Sequence, residues 1–362
     1  MRKGIKYVLL LAVLFAVSCT REELDDCISG VRLHFRFTLH EQPERGNLFG
    51  ENVGNVQVYV FDGNGILQHI QAESGAVLTN DYVMTLPLAP GRYTIVAWAS
   101  DNQNIFNTHN MFEIMPLAAV TPSGAELVIG KSRFEELRAG LDCEALVGYP
   151  EAIRPKTDNF DDFYYGAVGT RSSDGSDEYA IIPVEVKQAE NTDCEVELIR
   201  NTNIVRITIE GAETLTGGNP IGNPEDIVDI WMTGYNTRYH FDDAVSIGTE
   251  QVRYFPQYKL VNSGTIQADV KTERLEWARS GDGQIKLYAK LRSGKVMYAG
   301  DLLDILKQAK DGRGRNIYKN QEDLDRIYIH PVRFVIGGTV SDLYISIYVH
   351  NWEVIILDPG VI

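Results

Sequence analysis

An all-β fold, two antiparallel β-sandwich domains with a few short helices, is what the sequence predicts, and three observations carry it. Val31, Leu33, Phe35, Phe37 and Leu39 alternate with polar residues, the period-two pattern of a strand with one buried face. Leu88-Ala89-Pro90-Gly91 separates two further strand patterns; proline supplies a fixed φ there and glycine a positive one. The 362 residues include 32 Gly and 18 Tyr, a mixture that suits strands and turns more than helical bundles.

The chain opens Met1-Arg2-Lys3-Gly4-Ile5-Lys6, with three positive charges. Residues 7–17 are eleven consecutive apolar side chains, and Ala16-Val17-Ser18-Cys19 closes the run. A charged start, a short apolar core and a small-residue exit make a secretory signal. The run is too short to span a bilayer, which takes about 20 residues. A cysteine directly after Val17-Ser18 makes it a lipobox, because the processing enzyme needs a thiol to carry a diacylglyceryl group. Residues 1–18 are thus expected to be removed and Cys19 lipidated. Residues 19–30 then form a tether that includes Thr20-Arg21-Glu22-Glu23-Leu24-Asp25-Asp26. Two or more acyl chains hold a protein firmly in a membrane. The acidic run behind the cysteine resembles the export signal of Bacteroidetes-type surface lipoproteins. That resemblance implies an outer-membrane, lipid-anchored and surface-exposed protein.

The net charge is −16, and losing Arg2, Lys3 and Lys6 takes it to −19. An acidic surface argues against nucleic acid as a partner and against broad adhesion to anionic lipid. There is no Cys-x-x-Cys or His-x-x-x-His spacing, so neither a metal site nor a cofactor is expected. With Cys19 committed to lipid, Cys27, Cys143 and Cys194 allow one disulfide in three possible pairings, and spacing selects none. His34 and His350 sit in strand patterns and read as packed or edge residues.

Within residues 31–172, the expected N-terminal sandwich, residues 53–61 form a second strand with Val56, Val58 and Val60 on one face. Asp62-Gly63-Asn64-Gly65 reads as a hairpin turn; a calcium loop would need later ligands and a distal Glu that are missing. Residues 82–88 and 92–100 are further strands. In the latter, Tyr93, Ile95 and Ala97 share one face, and Val96 and Trp98 the other. Leu-x-Pro-Gly-x-Tyr-x-Ile-x-Ala over residues 88–97 resembles transthyretin-like sandwich domains. Residues 131–141 are expected to form a short helix with Phe134, Leu137 and Leu141 inward. Phe160, Phe163, Tyr164 and Tyr165 read as packing a domain edge. The polar Ser, Asp and Gly residues between 171 and 178 mark the boundary.

Residues 173–362, the expected C-terminal sandwich, begin with strands over 178–187, 194–199, 203–210 and 227–233. Strands follow over 284–291 and 296–299. Residues 301–310 read as a helix with Leu302, Leu303, Ile305, Leu306 and Ala309 inward; Asp301 and Lys310 complement its dipole. Strand patterns over 326–336, 343–349 and 352–357 close the chain. The two halves show no close repeat.

Nothing in the sequence forms a catalytic motif: there is no Gly-x-Ser-x-Gly, no His-Glu-x-x-His and no phosphate loop. Asp161-Asp162 and Asp242-Asp243 read as solvated loop charge. Trp98, Trp231, Trp277 and Trp352 are expected in cores, although exposed aromatics would stack on sugars.

Several segments in order carry a family resemblance. They are Cys19 to Cys27 with its acidic spacer, the first strand, Val56-Gln57-Val58-Tyr59-Val60-Phe61-Asp62 and Leu88-Ala89-Pro90-Gly91-Arg92-Tyr93. Then come Phe163-Tyr164-Tyr165-Gly166, Leu198-Ile199-Arg200-Asn201-Thr202-Asn203, the 301–310 helix with Leu324-Asp325-Arg326, and Val349-His350-Asn351-Trp352. Together they resemble the fimbrillin-A-associated anchor family of Bacteroidetes. The resemblance implies two transthyretin-like sandwiches and a non-enzymatic, lipid-anchored subunit at the base of a surface fimbrium. It also implies that stalk or accessory subunits join it by strand addition. In that family's stalk precursors, cleavage after an arginine in the loop behind the first strand removes lipid and strand together. Arg45 occupies such a loop here. An anchor requires Arg45 uncut, whereas a stalk or tip subunit requires the cut; the short tail after Trp352 favours the base. The other reading is a surface sandwich module that binds glycan or a host protein without polymerising.

Overall fold

The computed structural model describes residues 29–39, 42–104, 106, 112–116, 127–171, 179–241, 245–277, 285–339 and 342–354. The signal, Cys19, Cys27, most of the tether, Asp242, Asp243 and the tail beyond 354 lie outside the described residues.

The first half supplies β1 (Gly30–Phe37), β2 (Asn55–Asp62), β3 (Leu67–Ser74), β4 (Val83–Pro87), β5 (Gly91–Ser100), β6 (Phe112–Pro116) and β7 (Leu137–Leu141). It continues with β8 (Cys143–Ala145), β9 (Ala152–Pro155), β10 (Phe163–Ala167), β11 (Gly169–Arg171), β12 (Tyr179–Ile181), β13 (Val184–Val186) and β14 (Asn191–Arg200). The second half supplies β15 (Thr202–Glu210), β16 (Val228–His240), β17 (Val245–Tyr254), β18 (Gln257–Asn262) and β19 (Thr265–Glu273). After these come β20 (Lys286–Leu291), β21 (Val296–Asp301), β22 (Ile329–Thr339), β23 (Asp342–Val349) and β24 (Trp352–Val354). The helices are one or two turns each: α1 (Phe49–Asn52), α2 (Leu302–Leu306) and α3 (Gln321–Arg326).

Three large sheets result. The first is eight-stranded, ordered β3-β2-β5-β10-β14-β1-β4, with β13 also on β5. β14 belongs to two layers: residues 191–198 run beside β1, then Ile199 and Arg200 pair with Tyr165 and Tyr164 of β10. One layer (β4, β1 and most of β14) thus faces the other (β3, β2, β5). Val31, Leu33, Phe35 and Phe37 meet Val56, Val58, Ile95 and Ala97 between them.

The second half has a six-stranded sheet, β18-β19-β15-β22-β23-β24, and an eight-stranded one, β21-β20-β16-β17-β9-β8, which β7 joins through β16. Val205, Ile207, Ile266, Val332 and Phe334 pack against Ile230, Met232, Leu287 and Ala289 in that core. The same core takes in the other face of β2, β5 and β10: Tyr59, Phe61, Val96, Trp98, Phe163 and Tyr165. The β2–β5–β10 layer is thus buried on both sides. This explains why its strands read as nearly continuous apolar runs rather than strict alternations.

Sheet membership changes at a different place from the expected boundary at 172/173. β13 and β14 hydrogen-bond into the first sheet, and the break in sheet membership falls between Arg200 and Thr202. Conversely, β6 to β9, from the first half of the chain, join the sheet built on β16 and β17. The expected helix over 131–141 is a 3-10 turn, Phe134–Glu136, followed by β7. Pairing of β7 with β6 and β16 uses backbone groups that a helix would bond internally, while Leu137 and Leu141 stay buried as expected. Ile182-Pro183 divides the strand expected over 178–187, since proline offers no ladder donor. The helix expected over 301–310 is regular only as α2, yet it buries Leu302, Leu303, Ile305 and Leu306. Phe163, Tyr164 and Tyr165 lie between two cores, not at an edge. Trp98 is fully buried, but Trp352 on the edge strand β24 is 38% exposed, with the Lys310 ammonium 5.0 Å from its ring centre.

Candidate functional site: the first strand and the junction behind it

β1 is the first described element after the tether, and it is not an edge. It runs parallel to β14 from Gly30–Asn191 to Phe37–Leu198 and antiparallel to β4 from Gly30–Pro87 to His34–Val83. Its inward side chains Val31 and Leu33 are fully buried. Its outward ones pair with β14: Arg32 to Asp193 at 2.6 Å, His34 Nε2 to Asp193 at 3.0 Å, and Arg36 to Glu195 at 3.9 Å. These pairs are about half exposed, so each adds little; the apolar face holds the strand.

Two residues clasp the far end of β1. The Asn47 Oδ1 accepts from the Phe37 and Phe49 amides at 3.0 and 3.1 Å. Its amide donates to the Phe35 and Asn80 carbonyls, both at 2.9 Å. Arg326 at the end of α3 donates to the Thr38 hydroxyl and to the Glu197 carboxylate on β14, and its Nε is 3.2 Å from Glu322. Burial disfavours the charge on Arg326, but the Glu197 and Glu322 carboxylates outweigh it and raise its pKa further.

Arg45 closes the 3-10 turn Pro43–Arg45 and is exposed. It donates to Gln42 Oε1 at 2.6 Å and pairs with Glu51 of α1. A cleft of about 480 Å³ opens beside α1, lined by Glu51, Asn80 and Asp101 among others. Cys194 packs against the first core and Cys143 against the second, and they are not bonded to each other. Burial, then the Asp193 charge, raises the Cys194 thiol pKa, which favours the protonated form.

Behind β1 the two halves meet through buried polar groups. Asp162, read from sequence as solvated, is 6% exposed. Its Oδ1 lies 2.8 Å from Lys271 Nζ on β19 and accepts the Thr202 hydroxyl at 2.8 Å; its Oδ2 is 3.8 Å from Arg200. Burial works to raise its pKa, but the Lys271 and Arg200 charges and the bonds from Lys271 and Thr202 bring it below the usual carboxylate value. Burial and the neighbouring Asp162 charge push Asp101 up to about 6. The Arg200 guanidinium sits 3.5 Å from the Tyr328 ring centre. Nearby, Arg274 grips Asp325 with two bonds of 2.9 and 2.8 Å. A neutral chain continues outward. His330 Nε2–H donates to Asn203 Oδ1 at 2.9 Å, so its Nδ1 accepts the Tyr318 hydroxyl at 3.0 Å. The Tyr318 oxygen in turn accepts from His350 Nε2 at 3.0 Å. Among the described residues, no group of three or more His, Cys, Asp or Glu is placed to hold a metal ion. The site is a set of clasps, built to hold strands and halves together.

The 24–358 stretch matches the family model for fimbrillin-A associated anchor proteins Mfa1 and Mfa2. The chain belongs to the fimbrillin-A associated anchor protein family. The fold of the family is visible in solved structures. A candidate polysaccharide-binding protein of Bacteroides thetaiotaomicron aligns with TM-score 0.66 and 23% identity, covering 91% of this chain and 98% of that one. A candidate adhesin of the same organism aligns with TM-score 0.66 and 20% identity, over 91% and 98%. The fimbrial anchor protein Mfa2 of Porphyromonas gingivalis aligns with TM-score 0.58 and 20% identity, over 90% and 99%. No curated protein matches the chain by sequence.

Three segments that carried the family resemblance converge at the junction: Arg200 to Asn203, Asp325 with Arg326, and His350. Their place in the order of family-like motifs gave the signal. Asn47 and Lys271 carried no such signal, because each sits in an ordinary polar context along the chain.

Proposed function

We propose that this family member is the lipid-anchored subunit at the base of a surface fimbrium. Cys19 holds it in the outer membrane, and the filament joins by strand addition. The observation that carries this is where β1 sits: directly behind the tether, inside a sheet, and clasped at its far end by Asn47 and Arg326. Tension between the lipid and the filament enters the described fold at Gly30, the start of β1. A strand pulled along its axis loads all its ladder bonds together, whereas one peeled sideways breaks them singly. A firm link between lipid and sandwich is what an anchor requires. It also requires that the chain stay intact through the exposed Arg45 turn.

The test is a Cys19→Ala strain together with mass spectrometry of the native protein. The expected results are diacylglyceryl on Cys19, an uncut Arg45–Gly46 bond, and fimbriae shed into the medium by the substituted strain. Fimbriae that stay cell-bound without Cys19 would overturn the anchor reading. A native chain that begins at Gly46 would replace it with a stalk or tip subunit.

A further inference from the structure

The outer face of the sheet built on β16 and β20 plays no part in the anchor. On these strands the buried Ile230, Met232, Leu287 and Ala289 alternate with Trp231, Tyr288, Lys286 and Lys290, which therefore share the outward side. Register sets Trp231 opposite Tyr288, Asp229 opposite Lys290, and Thr233 between Lys286 and Arg253. The Trp231 and Tyr288 rings are half-buried and stacked, with centres 5.0 Å apart and planes 5° from parallel. The Lys290 ammonium is 5.0 Å from the Trp231 ring centre and 3.3 Å from Asp229. One strand further, the Arg253 guanidinium lies 3.9 Å from the ring centre of Tyr149, which is 49% exposed.

Two features set this face apart. The rings are already fixed by each other and by the cations, so little side-chain freedom is lost when a ligand lies on them. The chain as a whole carries −16, yet among the described residues this face carries Lys286, Lys290, Arg292 and Arg253 with Asp229 and Asp301, and Asp229 pairs with both Lys290 and Arg292. A cationic aromatic surface on an acidic protein complements a ligand that is flat, apolar on its faces and anionic at its rim. Sugar rings bearing carboxylate or sulfate have that form.

We propose that this face binds an acidic polysaccharide: sugar rings rest on Trp231 and Tyr288, and their anionic groups meet Lys286, Lys290 and Arg253. The site lies on a different sheet from β1, and its occupancy does not depend on the anchor reading.

Affinity electrophoresis of the full chain in gels containing polygalacturonate, chondroitin sulfate or neutral dextran tests this. The acidic polymers are expected to retard the protein, with salt weakening the effect, and dextran is expected to leave it unretarded. Lys286→Gln with Lys290→Gln is expected to weaken retention by about tenfold, as is Trp231→Ala with Tyr288→Ala at unchanged charge. The lysine pair is on the surface and leaves the core intact, so it stays informative if the aromatic pair disturbs folding. Absence of retention by both acidic polymers overturns the proposal. So does retention untouched by the lysine substitutions, or equal retention by dextran. Binding to phosphatidylglycerol vesicles but not to either acidic polymer would also overturn it.

Discussion

Asp162 and Lys271 form an ion pair across the two halves of the chain, Oδ1 to Nζ at 2.8 Å, with each side chain 9% exposed. Asp162 precedes β10 in the first sheet, and Lys271 lies on β19 in the six-stranded one. Removing one partner leaves a charge in a place water does not reach. Asp162→Ala is expected to cost about 3–5 kcal/mol, because Lys271 and Arg200 both lose their counter-ion. Asp162→Leu combined with Lys271→Met is expected to recover only part of that loss, because Arg200 still lacks its counter-ion. Urea unfolding measures both, and a cost below about 1 kcal/mol for the single substitution would sink the idea.

Acid sensitivity is expected from His330. Burial, then the charges of His350 and Arg200, pushes its pKa from 6.5 down to about 3. Between those values the unfolded chain binds a proton that the folded chain does not. The His330 contribution to stability is therefore complete above pH 6.5 and declines as pH falls toward 3. His350, also lowered by burial, acts in the same direction. Thermal unfolding as a function of pH checks this. His330→Gln is expected to be less stable at neutral pH by about 1–3 kcal/mol, because the bonds to Asn203 and Tyr318 are disturbed, but to show a shallower acid slope.

Glu273 gives the opposite slope. It is fully buried, and burial raises its pKa well above 4.5 despite the Tyr254 hydroxyl 3.3 Å away. The folded chain keeps a proton that the unfolded chain releases, so stability falls as pH rises above 4.5. Glu273→Gln keeps the shape without the ionisation. Its melting temperature is expected to match the parent at pH 4 and to exceed it at pH 8.

The clasps on β1 are expected to show in hydrogen exchange. Asn47→Ala removes partners from the amides of Phe37 and Phe49 and from the carbonyls of Phe35 and Asn80. Faster exchange over β1 is expected, along with a loss of about 1–3 kcal/mol. Leu33→Ala, at a fully buried site, is expected to cost about 2–5 kcal/mol and to release β1 still more. Unchanged protection of β1 in both variants would remove the clasp interpretation.

The regular strands were legible along the chain because their side-chain period is local. Val31 to Phe37 alternate into β1, the Asp62 turn caps Asn64 and Ile66 at 2.8 and 3.0 Å, and α2 buries the apolar stripe that marked it. The all-β class and the family-like order of motifs needed nothing beyond local chemistry. Partner choice is a different matter, because a strand pattern does not encode which strand lies beside it. β14 stands next to β1 across 160 residues of sequence, and β7 left a helical reading to pair with β16. Asp162 looked solvated because its counter-ions lie at Arg200 and Lys271, and only packing brings them together. The chain alone marked strands such as β1, β2, β5 and β15 and the face of each that would seek a core, but not β7, β17, β18 or β19. The tertiary structure decided which strands meet, because burial on both faces of β2, β5 and β10 and the pairing of buried charges arise only when distant segments exclude water together.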